Sequence, residues 1–273
     1  MGRGLLWARR FPLKDLHLLV DDKGAAGVLA RRAAAFADPP TVWRIDGTTL
    51  TRAAPQPLPP EPPLDPDVDF FADVIRAAGA EPVIEHGVLR GEVLGLEVAR
   101  AVVDDHGPML EVGVGKHDRQ AQGIVHGDEP TADALARVVA TVEGHRRAAA
   151  HHHPYNRLAT ERWLRAVVLA EPGLIGAAEL RPVASPVEVD DLRKPAPAAA
   201  AGTDTDGRAL LAVFSTGVDV DLVPAAADAR LADGRNPRLV IVVPERDDLP
   251  FLRPLAEALK EPAEVITVPD DWR

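Results

Sequence analysis

Cysteine is absent from all 273 residues, which excludes structural disulfides, thiolate metal sites and cysteine nucleophiles. Aromatic residues are scarce at 4%, so a core must rest on Ala, Val and Leu, and the 46% of hydrophobic residues is enough to build one. No apolar run approaches the ~18 residues of a membrane span. The GxSxG, HExxH and protein-kinase signatures are missing. Positive charge is in deficit, with 31 Lys and Arg against 42 Asp and Glu and a net charge of −11. A surface of that balance repels phosphate backbones and anionic bilayers on average, which argues against coating nucleic acid and against a membrane partner. Arg9, Arg10, Phe11 and Lys14 echo a twin-arginine export signal, but Asp15, His17, Asp21 and Asp22 stand where the apolar stretch belongs. A soluble, cytoplasmic chain is therefore expected. Its bias toward Ala, Arg, Asp and Pro, with few Lys, resembles that of a GC-rich bacterial genome.

Proline is plentiful and unevenly placed. Residues 52–66 hold Pro55, Pro57, Pro59, Pro60, Pro62, Pro63 and Pro66, and read as an extended linker, because proline fixes φ and lacks an N–H. Residues 194–207, rich in Ala and Pro and closing on Thr-Asp-Thr-Asp-Gly, read as a mobile loop. These two stretches leave three segments. Residues 1–51 read as strand, helix and strand. Residues 67–193 begin with a helix capped by Asp67 or Asp69. A strand at 82–85 follows, then strands at 93–103 and 109–115 folded into an antiparallel hairpin at His106-Gly107. Helices at 131–146 and 156–169 and a strand at 178–184 complete that segment. Residues 208–273 alternate strand and helix as βαβαβ, with the apolar run 239–243 marking burial on both faces, so parallel strands are predicted. The fold class is α/β, with parallel strands in the C-terminal segment and an antiparallel hairpin in the middle one.

The hairpin carries the most informative pattern. Leu94, Leu96 and Val98 share one face of the first strand, and Glu97 lies on the other between Gly95 and Ala99. In the second strand Leu110, Val112 and Val114 share a face, and Glu111 opposes them near Gly113 and Gly115. An even register puts Glu97 and Glu111 on the same side, where the two carboxylates repel unless a cation or proton lies between them. Oxygen ligands of this kind suit Mg²⁺. Lys116, His117, Asp118 and Arg119 crowd the end of the second strand.

Helix, three strands, helix and strand over residues 67–184 resemble the core of the PD-(D/E)xK nuclease superfamily. That family sets an acid on one core strand and a (D/E)xK motif on the next. The resemblance implies Glu97 and Glu111 as catalytic acids and Mg²⁺ ligands. The motif's lysine position is Gly113 here, so Lys116 would have to reach back to stabilise the phosphate. It implies a divergent Mg²⁺-dependent nuclease-like protein, active or inactive, with nucleic acid as its partner. Without it, the same pattern is the solvated outer face of an antiparallel sheet in a non-catalytic protein that docks a protein partner.

Four further patterns bear on chemistry. His145 with His151, His152 and His153 offers imidazoles, yet consecutive histidines point in different directions and no acid has metal-site spacing, so a polar loop is expected. Arg157, Glu161 and Arg165, spaced i,i+4, read as surface ion pairs. Asp219 and Asp221 follow an apolar strand, where a DxD can hold a metal-bound phosphate, but Asp221 reads more simply as a helix cap. Asp21 and Asp22 precede Gly24 and Gly27 without forming a dinucleotide or Walker motif.

Overall fold

The computed structural model describes residues 1–11, 15–116, 118–119, 131–148, 153–189 and 191–272. The chain is α/β, with three separate sheets among the described residues. The first is formed by β1 (His17–Val20), β2 (Thr41–Asp46) and β3 (Thr49–Arg52), where β1 and β2 run parallel and β2 and β3 antiparallel. It packs on α2 (Lys23–Ala33), whose N-terminus is capped by the Asp22 carboxylate accepting from the Gly24 and Ala25 amides. Helix α1 (Gly2–Arg10) precedes this sheet.

The middle sheet is an antiparallel meander of β4 (Glu81–Glu85), β5 (Val88–Val93), β6 (Leu96–Asp104) and β7 (Gly107–Val112). One face rests on α3 (Phe71–Ala77) and α4 (Thr131–His145), which bury Ile75, Leu135, Val138, Val139 and Val142 against Leu89, Val93 and Leu110. The expected strand over 93–103 is interrupted. Leu94 and Gly95 take φ of +47° and +76°, the conformation of a two-residue type I′ turn, so this run is a hairpin of its own and the meander has four strands. The pair Leu-Gly carries no customary turn signal, since leucine rarely accepts positive φ.

The third sheet has the order β12-β11-β10-β9-β8. Strands β10 (Ala209–Phe214), β11 (Arg238–Pro244) and β12 (Glu264–Val268) are parallel, as the βαβαβ order predicts, with α6 (Leu222–Asp233) and α7 (Leu252–Glu257) as crossovers on one face. Strands β8 (Ala177–Val183) and β9 (Ala198–Asp204) extend it antiparallel. Strand β9 corrects the mobile-loop reading of 194–207. Ala198, Ala199, Ala200 and Ala201 are buried inside the sheet, where small side chains fit between close-packed layers despite alanine's poor strand propensity. Helix α5 (Thr160–Ala170) covers the other face through Leu164 and Val168.

The N-terminal sheet does not join the C-terminal one but is tied to it. Arg31 and Arg32 of α2 both bind the buried Asp228 carboxylate of α6, at 2.9 and 2.7 Å. The proline-rich stretch is likewise strapped down: Gln56 donates its amide to Gly27 O, and Glu61 accepts from the His86 amide. Among the described residues, no helix is long and apolar enough to cross a membrane.

Candidate functional site

The second face of the middle sheet, opposite α3 and α4, carries charge in place of apolar side chains. Its position follows from an irregularity in the β5–β6 pairing. Gly91 pairs with Ala99 and Glu92 with Glu97, leaving Val98 as an extra residue, a β-bulge. The side-chain alternation changes phase there: Leu96 and Val98 enter the core before the bulge, Ala99 and Ala101 after it. Glu97 and Arg100 thus reach the same face although three positions apart, and the Arg100 guanidinium binds the Glu97 carboxylate through both nitrogens at 3.0 and 3.1 Å. Glu111 pairs with Arg100 across β6 and β7 and shares that face.

Glu97 and Glu111 therefore do come together, and what lies between them is a guanidinium. Arg119 Nη1 donates to Glu97 Oε1 at 2.7 Å and Nε to Glu111 Oε2 at 3.1 Å. Gly113 makes this possible. Its amide pairs with Val98 O, its φ is +137°, and a Cβ there would lie 2.8 Å from Arg119 N. The backbone of residues 118–119 folds onto this glycine, and the Arg119 side chain turns back to the sheet. Glu97 also meets Arg90 Nε at 3.0 Å, a contact of opposite charges outside hydrogen-bond angles. Its two oxygens thus face four arginine nitrogens within 3.1 Å. Lys116 is exposed and is not a member of this network.

The network continues beneath α5. Arg165, 1% exposed, donates to Glu85 Oε1 at 2.5 Å and to Glu92 Oε2 at 2.8 Å, while Arg162 reaches Glu85 Oε2 at 2.6 Å. This corrects the expected surface pairs: Arg165 and Glu161 are both buried, and Glu161 accepts from the Thr216 hydroxyl. Helix α5 presents Leu164 and Val168 to the third sheet and Arg162 and Arg165 to the middle one. The arginines join the two layers. Burial by itself raises the Glu85 carboxyl, but the charges of Arg165, Arg162 and Arg90 outweigh it, and the net shift is downward. Burial also lowers Arg90, more than Glu97 and Glu85 restore, while for Arg165 the two carboxylates prevail over burial and the net shift is upward.

The sign of the Glu85 shift sets an acid limit. A carboxylate held below its unfolded value stabilises the fold fully above that value, about 4.3 for Glu, and the contribution is lost as pH falls through the folded pKa. The urea midpoint is expected to hold level from pH 7 to about 5 and to fall below about 4.3. A midpoint that rises with acid would show that Glu85 is not stabilised as a carboxylate.

A divalent cation does not fit here. Both Glu97 oxygens are engaged by guanidinium groups, and an ion between Glu97 and Glu111 would displace Arg119 into the field of Arg90 and Arg100. Among the described residues, no group of three or more His, Asp and Glu side chains is placed to hold a metal ion. The other patterns resolve as follows. His145 and His153 stack with ring centroids 4.0 Å apart, while His151 and His152 lie outside the described residues, as does His117. Asp221 occupies the N-cap position of α6, but its carboxylate accepts from the Gly2 amide at 2.7 Å instead of capping. Asp22 serves as a helix cap. Comparison with protein-family models, with curated proteins and with solved structures found no match.

Proposed function

We propose that this chain is non-catalytic and works by binding a protein partner, on a nuclease-like middle segment without a working metal centre. The observation that carries the reading is the saturation of Glu97 by four arginine nitrogens within 3.1 Å. A metal-ligating carboxylate must offer free lone pairs to the ion, and buried guanidinium groups compete for the same ones. The glycine at the motif's lysine position supports it too, because a side chain there would collide with the Arg119 backbone. The arrangement of five arginines and four glutamates acts as an internal clamp between α5 and the middle sheet.

Calorimetric titration of Mg²⁺ and Mn²⁺ into the wild type and Glu111→Ala tests this, alongside cleavage assays on single- and double-stranded DNA. The expected result is no binding heat that depends on Glu111 and no metal-dependent cleavage. Saturable metal binding lost in Glu111→Ala, or cleavage that Glu97→Gln abolishes, would restore the nuclease reading.

A further inference from the structure

The N-terminal sheet has one covered face and one open one. Val42 and its neighbours pack on α2, whereas His17, Leu19, Thr41, Trp43, Ile45, Leu50 and Arg52 line the opposite side. Leu19 and Leu50 are 56% and 51% exposed, an apolar centre that a solvated sheet face does not normally present. Among the described residues nothing pairs with the outer edge of strand β3, and all four of its residues are exposed. The hydrogen-bond phase of that edge is readable. Ala53 N–H donates to Val42 O at 2.8 Å, so by antiparallel alternation the N–H and C=O groups of Leu50 and Arg52 point away from β2.

Charge selects what fits. Residues 1–52 contain nine Lys and Arg against five Asp, whereas residues 53–273 contain 22 against 37. Of the nine, Arg31 and Arg32 are committed to Asp228, while Arg52 stands on the open face beside Leu50. A second copy added at the same edge would bring two basic segments together. The one indole of the face, Trp43, is stacked by His17 and donates its Nε1–H to His17 Nδ1 at 2.9 Å, so its ring is already engaged and the face is not built as a base-stacking platform.

We propose that β3 accepts an extended acidic segment of another protein as an added strand. Main-chain bonds form to Leu50 and Arg52, an apolar side chain lies against Leu50, and an Asp or Glu two positions along meets Arg52. This surface is separate from the ion network, so the proposal stands or falls independently of whether Glu97 and Glu111 bind metal.

The test is fluorescence anisotropy of a labelled eight-residue peptide, Val-Thr-Glu-Thr-Val-Thr-Glu-Thr, with the full chain, in which Val and Glu two positions apart share one face of the strand. The companion ligands are the same peptide with Lys for Glu and a labelled oligothymidine. Saturable binding of the acidic peptide is expected, weakened at least tenfold by Arg52→Glu and at least tenfold by Leu50→Pro. The latter removes an outward N–H and leaves the β2 ladder intact. Both positions are exposed, and unchanged thermal unfolding verifies that the variants fold. The proposal is overturned if the acidic peptide fails to saturate up to about 1 mM. It is equally overturned if the Lys peptide or oligothymidine binds as well, or if sedimentation shows self-association that Leu50→Pro abolishes.

Discussion

Arg165→Leu is expected to lower the unfolding free energy by about 3–5 kcal/mol, since breaking a buried ion pair from one side leaves charge without compensation. Arg165 bridges Glu85 and Glu92, which are 0% and 4% exposed. Among the described residues Glu92 then keeps only Arg162, whose Nη1 is 3.6 Å away. The loss is a large part of the 5–15 kcal/mol that holds a typical domain together, and corresponds to a drop in melting temperature of roughly 10 °C. Urea denaturation at pH 7 measures it. The pH dependence identifies the cause. Burial is the largest influence on Glu85 and acts to raise its pKa, and Arg165 is the largest opposing one. Without Arg165, Glu85 gains from protonation in the folded state, so the gap between wild type and variant should narrow as pH falls from 7 toward about 4. Adding Glu92→Gln alone to Arg165→Leu should recover part of the loss, because Glu92 is the carboxylate left with only a 3.6 Å contact, while Glu85 still pairs with Arg162 at 2.6 Å. A gap that stays constant with pH would mean that lost packing, not stranded charge, is responsible.

Gly95→Ala is the second large effect. At φ +76° any Cβ is strained, and this one would stand 2.3 Å from the carbonyl carbon and oxygen of Arg162 and 2.7 Å from Trp163 N. The obstacle is helix backbone, which cannot rotate aside, so the β5–β6 turn and α5 must separate. That separation pulls on the Arg162 and Arg165 contacts and on Leu94 O, which accepts from Arg146 Nε at 2.8 Å. A cost above about 3 kcal/mol is expected: about 1–2 for the left-handed backbone and the rest for displaced packing. Gly207→Ala is the control, with φ +78° and no atom within 4 Å of its Cβ, and should show the backbone part alone. Equal costs at the two sites would refute the close approach of the turn to α5.

Much of the architecture is written locally. The run Leu239 to Val243 announces a strand buried on both faces, and the alternation of strands and helices from Leu210 onward predicts a parallel sheet, as found. The apolar spacing of Leu135, Val138, Val139 and Val142 marks the buried face of α4. Glu97 and Glu111 stand out as carboxylates flanked by small residues, and they do share a face. Their partners were harder to see. Arg90 and Glu92 alternate with Leu89, Gly91 and Val93, a pattern that elsewhere means a solvated strand face, and Arg165 sits at ordinary surface-pair spacing from Glu161. Nothing in those spacings shows that α5 covers that strand face.

Composition, apolar periodicity and turn chemistry thus decided by themselves the α/β class, the parallel C-terminal strands and the prominence of Glu97 and Glu111, because each depends on neighbours within one element. Tertiary structure alone decided what those glutamates face. Residues 22 positions apart for Arg119 and 73 to 80 apart for Arg165 supply the cations, and they are brought in by a bulge at Val98 and by helix α5 lying between two sheets. Burial converts such groups from solvated surface charges into a mutual lock, since in a poorly polarisable interior a carboxylate must be paired, and the pairing is set by packing that no local pattern encodes.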